Sequence, residues 1–326
     1  MALVAVAPVA LAQGAPLEAL RATLTGLRAR DGTAPIETYG AELTAAKYQL
    51  RDWIEPQLAS VKAEGDEAEL ARRLNGALGA LLAPEDGGDQ NFTGLLGEVR
   101  VEWKPGLLVV ITSVGILCEF DESAYGYKNV DGKWQRVWQS EQDDYSEDHY
   151  ASQFISDLHV WQRYADGRES GPPYVLMLSN DVGCASNWHP VYYRVWRIDP
   201  TGPKLLIDGS QQWAFHRTGK YLVGSIAQEY FPENSPVDVI VEFSQRSIDG
   251  GVHNREGVRH YLIEGDKVRR GAPVALSPRD FVDEWLTRDW TESAGWSASP
   301  ALERWHRKNI RGEFVHPTMH CQTPDL

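Results

Sequence analysis

Leu107-Leu108-Val109-Val110-Ile111, Tyr174-Val175-Leu176-Met177-Leu178 and Val237-Asp238-Val239-Ile240-Val241-Glu242-Phe243 occupy equivalent places in a plan that recurs between residues 94 and 277. Each run is the second strand of a unit that reads strand, strand, polar loop, aromatic strand, tight turn, strand. The aromatic strands are Tyr125-Gly126-Tyr127, Tyr192-Tyr193-Arg194-Val195-Trp196 and Val258-Arg259-His260-Tyr261-Leu262. They end in the turns Asp131-Gly132, Pro200-Thr201-Gly202 and Gly265-Asp266. The turns fall about 65 residues apart, and a fixed period outranks local propensity as a guide to architecture.

Strands are expected near 96–103, 107–113, 123–130 and 133–140 in the first unit. The second unit predicts 154–164, 173–179, 191–198 and 203–208, and the third 221–230, 237–244, 257–264 and 266–274. Alternation supports them, because Leu158, Val160 and Tyr164, like Val239, Val241 and Phe243, fall largely on single faces. Four antiparallel strands per unit is the plan of a propeller blade, but propellers typically carry four to eight blades. Three units would need flanking strands such as Glu313-Phe314-Val315, or a second chain, to close. A β-barrel or sandwich is the alternative that the same alternation permits. The fold class expected is therefore mainly β, in three four-stranded antiparallel repeats with helical extensions.

Helical signals flank this β-region, 94–277. Within 16–83, Tyr39, Leu43, Ala46, Leu50 and Trp53 form one apolar stripe, and Leu70, Leu74, Ala77, Leu78 and Leu81 form another. An earlier helix over about residues 16–29 completes a small helical unit. Pro84-Glu85-Asp86-Gly87-Gly88-Asp89 opens a linker, 84–93. In the tail, 278–326, Ser277-Pro278 and Ser299-Pro300 are helix starts, predicting helices near 278–288 and 300–309. Trp285, Trp290, Trp296 and Trp305 crowd the same tail. Their plain reading is burial against the β-region; an exposed platform for sugar stacking is the alternative.

Ala2–Ala12 resembles the apolar core of a signal peptide, with Ala10-Leu11-Ala12 as a cleavage pattern and residues 1–15 as its remnant. No Lys or Arg precedes the run, and an ordinary apolar helix end is the competing reading. The expected compartment is secreted or periplasmic, with no membrane span, since no segment reaches 18 uninterrupted apolar residues. A formal charge of −14 disfavours nucleic acid as a partner.

In such a unit, the loops after the second and fourth strands emerge at one end. They collect Cys118, Glu119, Asp121 and Glu122; Asp181, Cys184, Asn187, Trp188 and His189; and Asp249, His253, Asn254 and Arg255. Glu141, Asp143, Asp144, Glu147, Asp148 and His149 join them, with Trp213, His216 and Arg217. The opposite end receives only tight turns. Loops on a rigid β-scaffold are where binding residues concentrate. Asp121, Glu122, Asn187, Trp188, His189, Asp249, His253 and Arg255 are accordingly the candidate ligand-binding residues. Cys118 and Cys184 stand at matching places in successive units and are the candidate disulfide, worth about 2–4 kcal/mol on loop-entropy grounds. Cys321 is left over beside His316 and His320.

No G-x-S-x-G elbow, H-E-x-x-H, phosphate loop or complete EF-hand pattern occurs, and catalytic residues are not assignable. No cofactor is expected. A divalent cation held by Asp121, Glu122, His189 and His253 is the exception the residue types allow. The leading expectation is an exported, non-catalytic binding protein whose polar loops recognise an extracellular or cell-surface saccharide or protein. One alternative is an exported hydrolase using carboxylates with His189 or His253. The other is a structural or assembly protein whose units complete one another across a homodimer.

Overall fold

The computed structural model describes residues 14–30, 34–83, 91–117, 119–145, 153–165, 168–181, 188–215, 222–226, 237–246, 254–271, 275, 277–287, 296–297 and 299–309. The fold is mainly β, with antiparallel sheets and a few helices. Helices α1 (Gly14–Arg28), α2 (Gly40–Ile54) and α3 (Asp66–Leu78) come first. Strands β1 (Arg100–Lys104), β2 (Leu107–Gly115), β3 (Phe120–Val130) and β4 (Lys133–Ser140) then form a four-stranded meander. A second meander comprises β5 (Gln153–Ala165), β6 (Arg168–Asp181), β7 (Trp188–Asp199) and β8 (Gly202–Phe215). A third group is β9 (Leu222–Ile226), β10 (Val237–Arg246), β11 (Asn254–Glu264) and β12 (Lys267–Arg270). One bridge, Ala214 to Gln245, joins β8 to β10 and makes the second and third groups a single eight-stranded sheet. The sheet order is open, from β12 to β5.

The expected strands and helices are thus present, with shifted ends. β1 starts four residues later than expected, at Arg100, and β12 stops at Arg270. The Asp131-Gly132 turn has φ of 52° and 78°, both in the left-handed region that a two-residue hairpin of the primed type requires. Residues 313–315 and the apolar run Ala2–Ala12 lie outside the described residues, as do Cys118, Cys184 and Cys321.

Packing is layered. On β2, Leu108, Val110 and Val114 face a core shared with the helices, which supply Leu24, Leu43, Leu50, Ile54, Leu70 and Leu74. The alternate residues Leu107, Val109 and Ile111 face a second core with Ile155, Leu158, Val160, Val175 and Met177 of the next meander. On β6, Tyr174, Leu176 and Leu178 point the other way, into a third core with Val237, Val239, Val241 and Ile263. Continuous apolar runs on β2 and β6 are therefore buried on both faces, whereas β10 alternates because one face suffices. Asn75 of α3 ties the layers with paired amide bonds to Val99, 3.0 and 2.9 Å, mimicking a peptide group.

The tail docks on β11 through α4 (Pro278–Thr287), and α5 (Pro300–Asn309) packs on α4; their first helical bonds end on the carbonyls of Ser277 and Ser299. Glu284 of α4 is fully buried against Arg259 of β11, at 2.7 Å. Trp285 stacks on Trp305, which is itself 46% exposed.

Candidate functional site

At the end of the first meander, α2 and β3 meet through charge. Besides its apolar stripe, α2 carries Lys47 and Arg51 one turn apart, with Glu55 a turn further. On β3, Asp121, Tyr125 and Tyr127 share the helix-facing side with Leu108 and Val110. The Lys47 ammonium lies 2.6 Å from the Asp121 carboxylate, and neither side chain has any solvent exposure. Arg51 meets Glu141 at 2.9 Å, and Tyr125 donates a hydrogen bond to the same carboxylate. Tyr127 donates to Glu55 at 3.2 Å, where Arg136 also binds at 3.0 Å. Four helical residues rise about 6 Å, and two strand residues about 6.7 Å. Arg51 and Glu55 therefore keep step with Tyr125 and Tyr127.

The residues after β4 close over this row. Gln142 offers its carbonyl to Lys47 at 2.8 Å, and the single Tyr145 hydroxyl proton is shared between Asp121 and that carbonyl. Tyr145 packs so closely on the start of α2 that a Cβ on Gly40 would lie 2.7 Å from its own. Only glycine fits there. Burial and the neighbouring Asp121 carboxylate hold the Tyr145 hydroxyl far above its ordinary pKa, so it acts as a donor.

Asp121 and Glu122 are adjacent in β3 and therefore point to opposite faces. Asp121 looks to the helices and Glu122 to the second meander. Both reach the start of β5: Gln153 N–H donates to Asp121 at 2.9 Å, and Ile155 N–H to Glu122 at 2.8 Å. Glu122 also accepts from Arg100 at 3.1 Å and Ser113 at 3.2 Å. Burial pushes its carboxyl above the usual range, against the pull of Arg100 and these donors.

This corrects the expectation that Asp121 and Glu122 stand on a solvated loop. They begin a strand, paired with Val114 and Ser113, because the buried Lys47, the partly exposed Arg100 and backbone donors satisfy their charge. Glu141, expected on the loop after β4, is likewise engaged, its side chain 2% exposed. Trp188 and His189 also lie in a strand, the first residues of β7, and Asn254 and Arg255 open β11. Asn187, Asp249 and His253 lie outside the described residues.

The ladder does bring several of these positions together. His189 pairs with Ala214, Ala214 with Gln245, and Gln245 with Arg255. One row thus crosses β7, β8, β10 and β11 and spans about 14 Å at ordinary strand spacing. Asp181, at the end of β6, pairs with Gln153, which in turn binds Asp121. The described ends of all three groups therefore form one continuous rim. Lys47, Arg51, Tyr145 and Gln153 were not singled out from sequence, although Lys47 and Arg51 interrupt an apolar helix at one-turn spacing. Among the described residues no three His, Cys, Asp or Glu side chains are grouped to hold a metal ion, and no helix is long and apolar enough to cross a membrane.

Comparison with protein-family models, curated proteins and solved structures finds no match to the chain.

Proposed function

We propose that the rim formed by the ends of β6–β8, β10 and β11 binds an extracellular or cell-surface ligand, a saccharide or a protein, without chemistry on it. The observation that carries this is the row His189, Ala214, Gln245, Arg255, which sets two polar positions from different groups at one edge. Two carboxylates that a hydrolase reading would use are already engaged: Asp121 with Lys47, Tyr145 and Gln153, and Glu122 with Arg100, Ser113 and Ile155. A carboxylate fixed by three donors is a poor general acid or base. Export to the periplasm or outside the cell accompanies this reading.

The test is a thermal-shift screen of neutral, amino and acidic oligosaccharides, followed by titration of any hit against His189→Ala and Arg255→Ala. Binding by the native protein that falls at least tenfold in either variant is expected. Binding unchanged in both variants, or hydrolysis of the bound saccharide, would defeat the proposal.

The face-to-face stacking of the first meander on the second also suits a propeller-like ring completed by a second copy, because three units are too few to close one. Such a ring requires a dimer in solution. A monomer by light scattering at micromolar concentration would rule it out.

A further inference from the structure

Arg270 ends β12 opposite Tyr261 of β11, well away from the rim. Tyr261 lies seven steps along the strand from Asn254, the first residue of β11, about 24 Å of extended chain. Its guanidinium carbon lies 5.1 Å from the Tyr261 ring centroid and 6.0 Å from that of Trp296. Nε and Nη2 of this side chain are both hidden from solvent and, among the described residues, have no hydrogen-bond partner. Neighbouring cations are placed differently. Arg197 meets Asp199 at 2.7 Å and Asp266 at 2.8 Å, Arg259 meets Glu284 at 2.7 Å, and Arg269 meets Glu264 at 3.6 Å.

A guanidinium does not lose its proton in proteins, so burial cannot neutralise it. Ring faces offset part of the cost through cation–π attraction, but they offer no oxygen in the guanidinium plane. Nε and Nη2 are the two donors along one edge of that plane. Such an edge gives two parallel N–H···O bonds to a carboxylate or phosphate. A further donor is close by. The Tyr193 and Tyr261 hydroxyls are 2.9 Å apart, and the bond between them uses only one of their two protons.

We propose that Arg270, with the Tyr193–Tyr261 hydroxyl pair, binds a small-molecule carboxylate, whose two oxygens take the Nε–Nη2 edge. This site is separate from the rim, and neither depends on the other. Entry of the carboxylate separates the Trp296 indole from the guanidinium.

The experiment uses the full chain with formate, acetate and succinate, against sulfate, phosphate and chloride at matched ionic strength. A saturable rise in melting temperature with carboxylate is expected, about 5 °C at a hundred times the dissociation constant. Saturation transfer to the acetate methyl group supplies a readout independent of stability. Arg270→Gln abolishes both signals. Arg270→Lys keeps the charge without the two-donor edge and lowers affinity at least tenfold, which preserves the test should the glutamine variant fail to fold. The proposal is overturned by no carboxylate response beyond chloride, or by wild-type affinity in Arg270→Lys. A response to sulfate or phosphate but to no carboxylate overturns it equally.

Discussion

Asp121 shows why a pair of acidic residues in a polar stretch can be internal. Its carboxylate is buried because Lys47 is buried beside it, and each charge would be costly without the other. Asp121→Ala should destabilise the protein by about 3–5 kcal/mol, chiefly by leaving the Lys47 ammonium unpaired. Replacing both, as Lys47→Met with Asp121→Leu, should cost less than the sum of the single changes. Chemical denaturation of the four proteins measures this, and strict additivity would contradict the pairing. Glu122 differs in sign. Because burial raises its folded pKa above the ordinary 4.5, its contribution to stability is full below that value and is lost as pH rises through the folded pKa. Glu122→Gln, which retains an oxygen acceptor, should therefore gain on the wild type between pH 4 and pH 7. Denaturation midpoints at the two pH values report it; an equal difference at both would refute the assignment.

β2 and β6 each serve two cores, so both faces of each strand are constrained. Leu176 and Met177 are neighbours in sequence, yet one contributes to the core with the third group and the other to the core with the first meander. Leu176→Ala and Met177→Ala should each cost about 2–5 kcal/mol. Were β6 buried on one face only, one of the two changes would fall within about 0.5 kcal/mol of neutral, as surface substitutions do. Thermal or denaturant unfolding of the two variants distinguishes the cases. The start of β5 depends instead on polar groups, since Asp121 and Glu122 capture its N–H groups and link it to β3. A strand edge held in this way is also withheld from pairing with other chains.

For the molecule as a whole, the helical unit completes the first meander. Leu108, Val110, Val114, Tyr125 and Tyr127 share one core with α1–α3, and Lys47 and Arg51 neutralise Asp121 and Glu141 across the same boundary. Removing residues 1–90 would uncover that apolar face and strand two buried carboxylates. The shortened chain should aggregate or bind a hydrophobic dye strongly. A monomer with native near-ultraviolet circular dichroism would show that the helices are dispensable. The join between β8 and β10 is the opposite case, a single bridge among the described residues, between Ala214 and Gln245.

The sequence by itself determined the element order: three helices, four-stranded meanders at a regular spacing, tight turns such as Asp131-Gly132, and Ser-Pro starts for the tail helices. These signals are local, because periodicity, turn chemistry and caps act over a few residues. It also collected His189 and Arg255 at one end. Only the tertiary structure decided that Asp121 and Glu122 are interior, since their partners Lys47, Arg100 and Gln153 are far away in sequence. The stacking of the layers, and the engagement of Glu141 by Arg51 and Tyr125, were decided there too. Burial of a charge depends on which distant group arrives beside it, and no local pattern records that arrival.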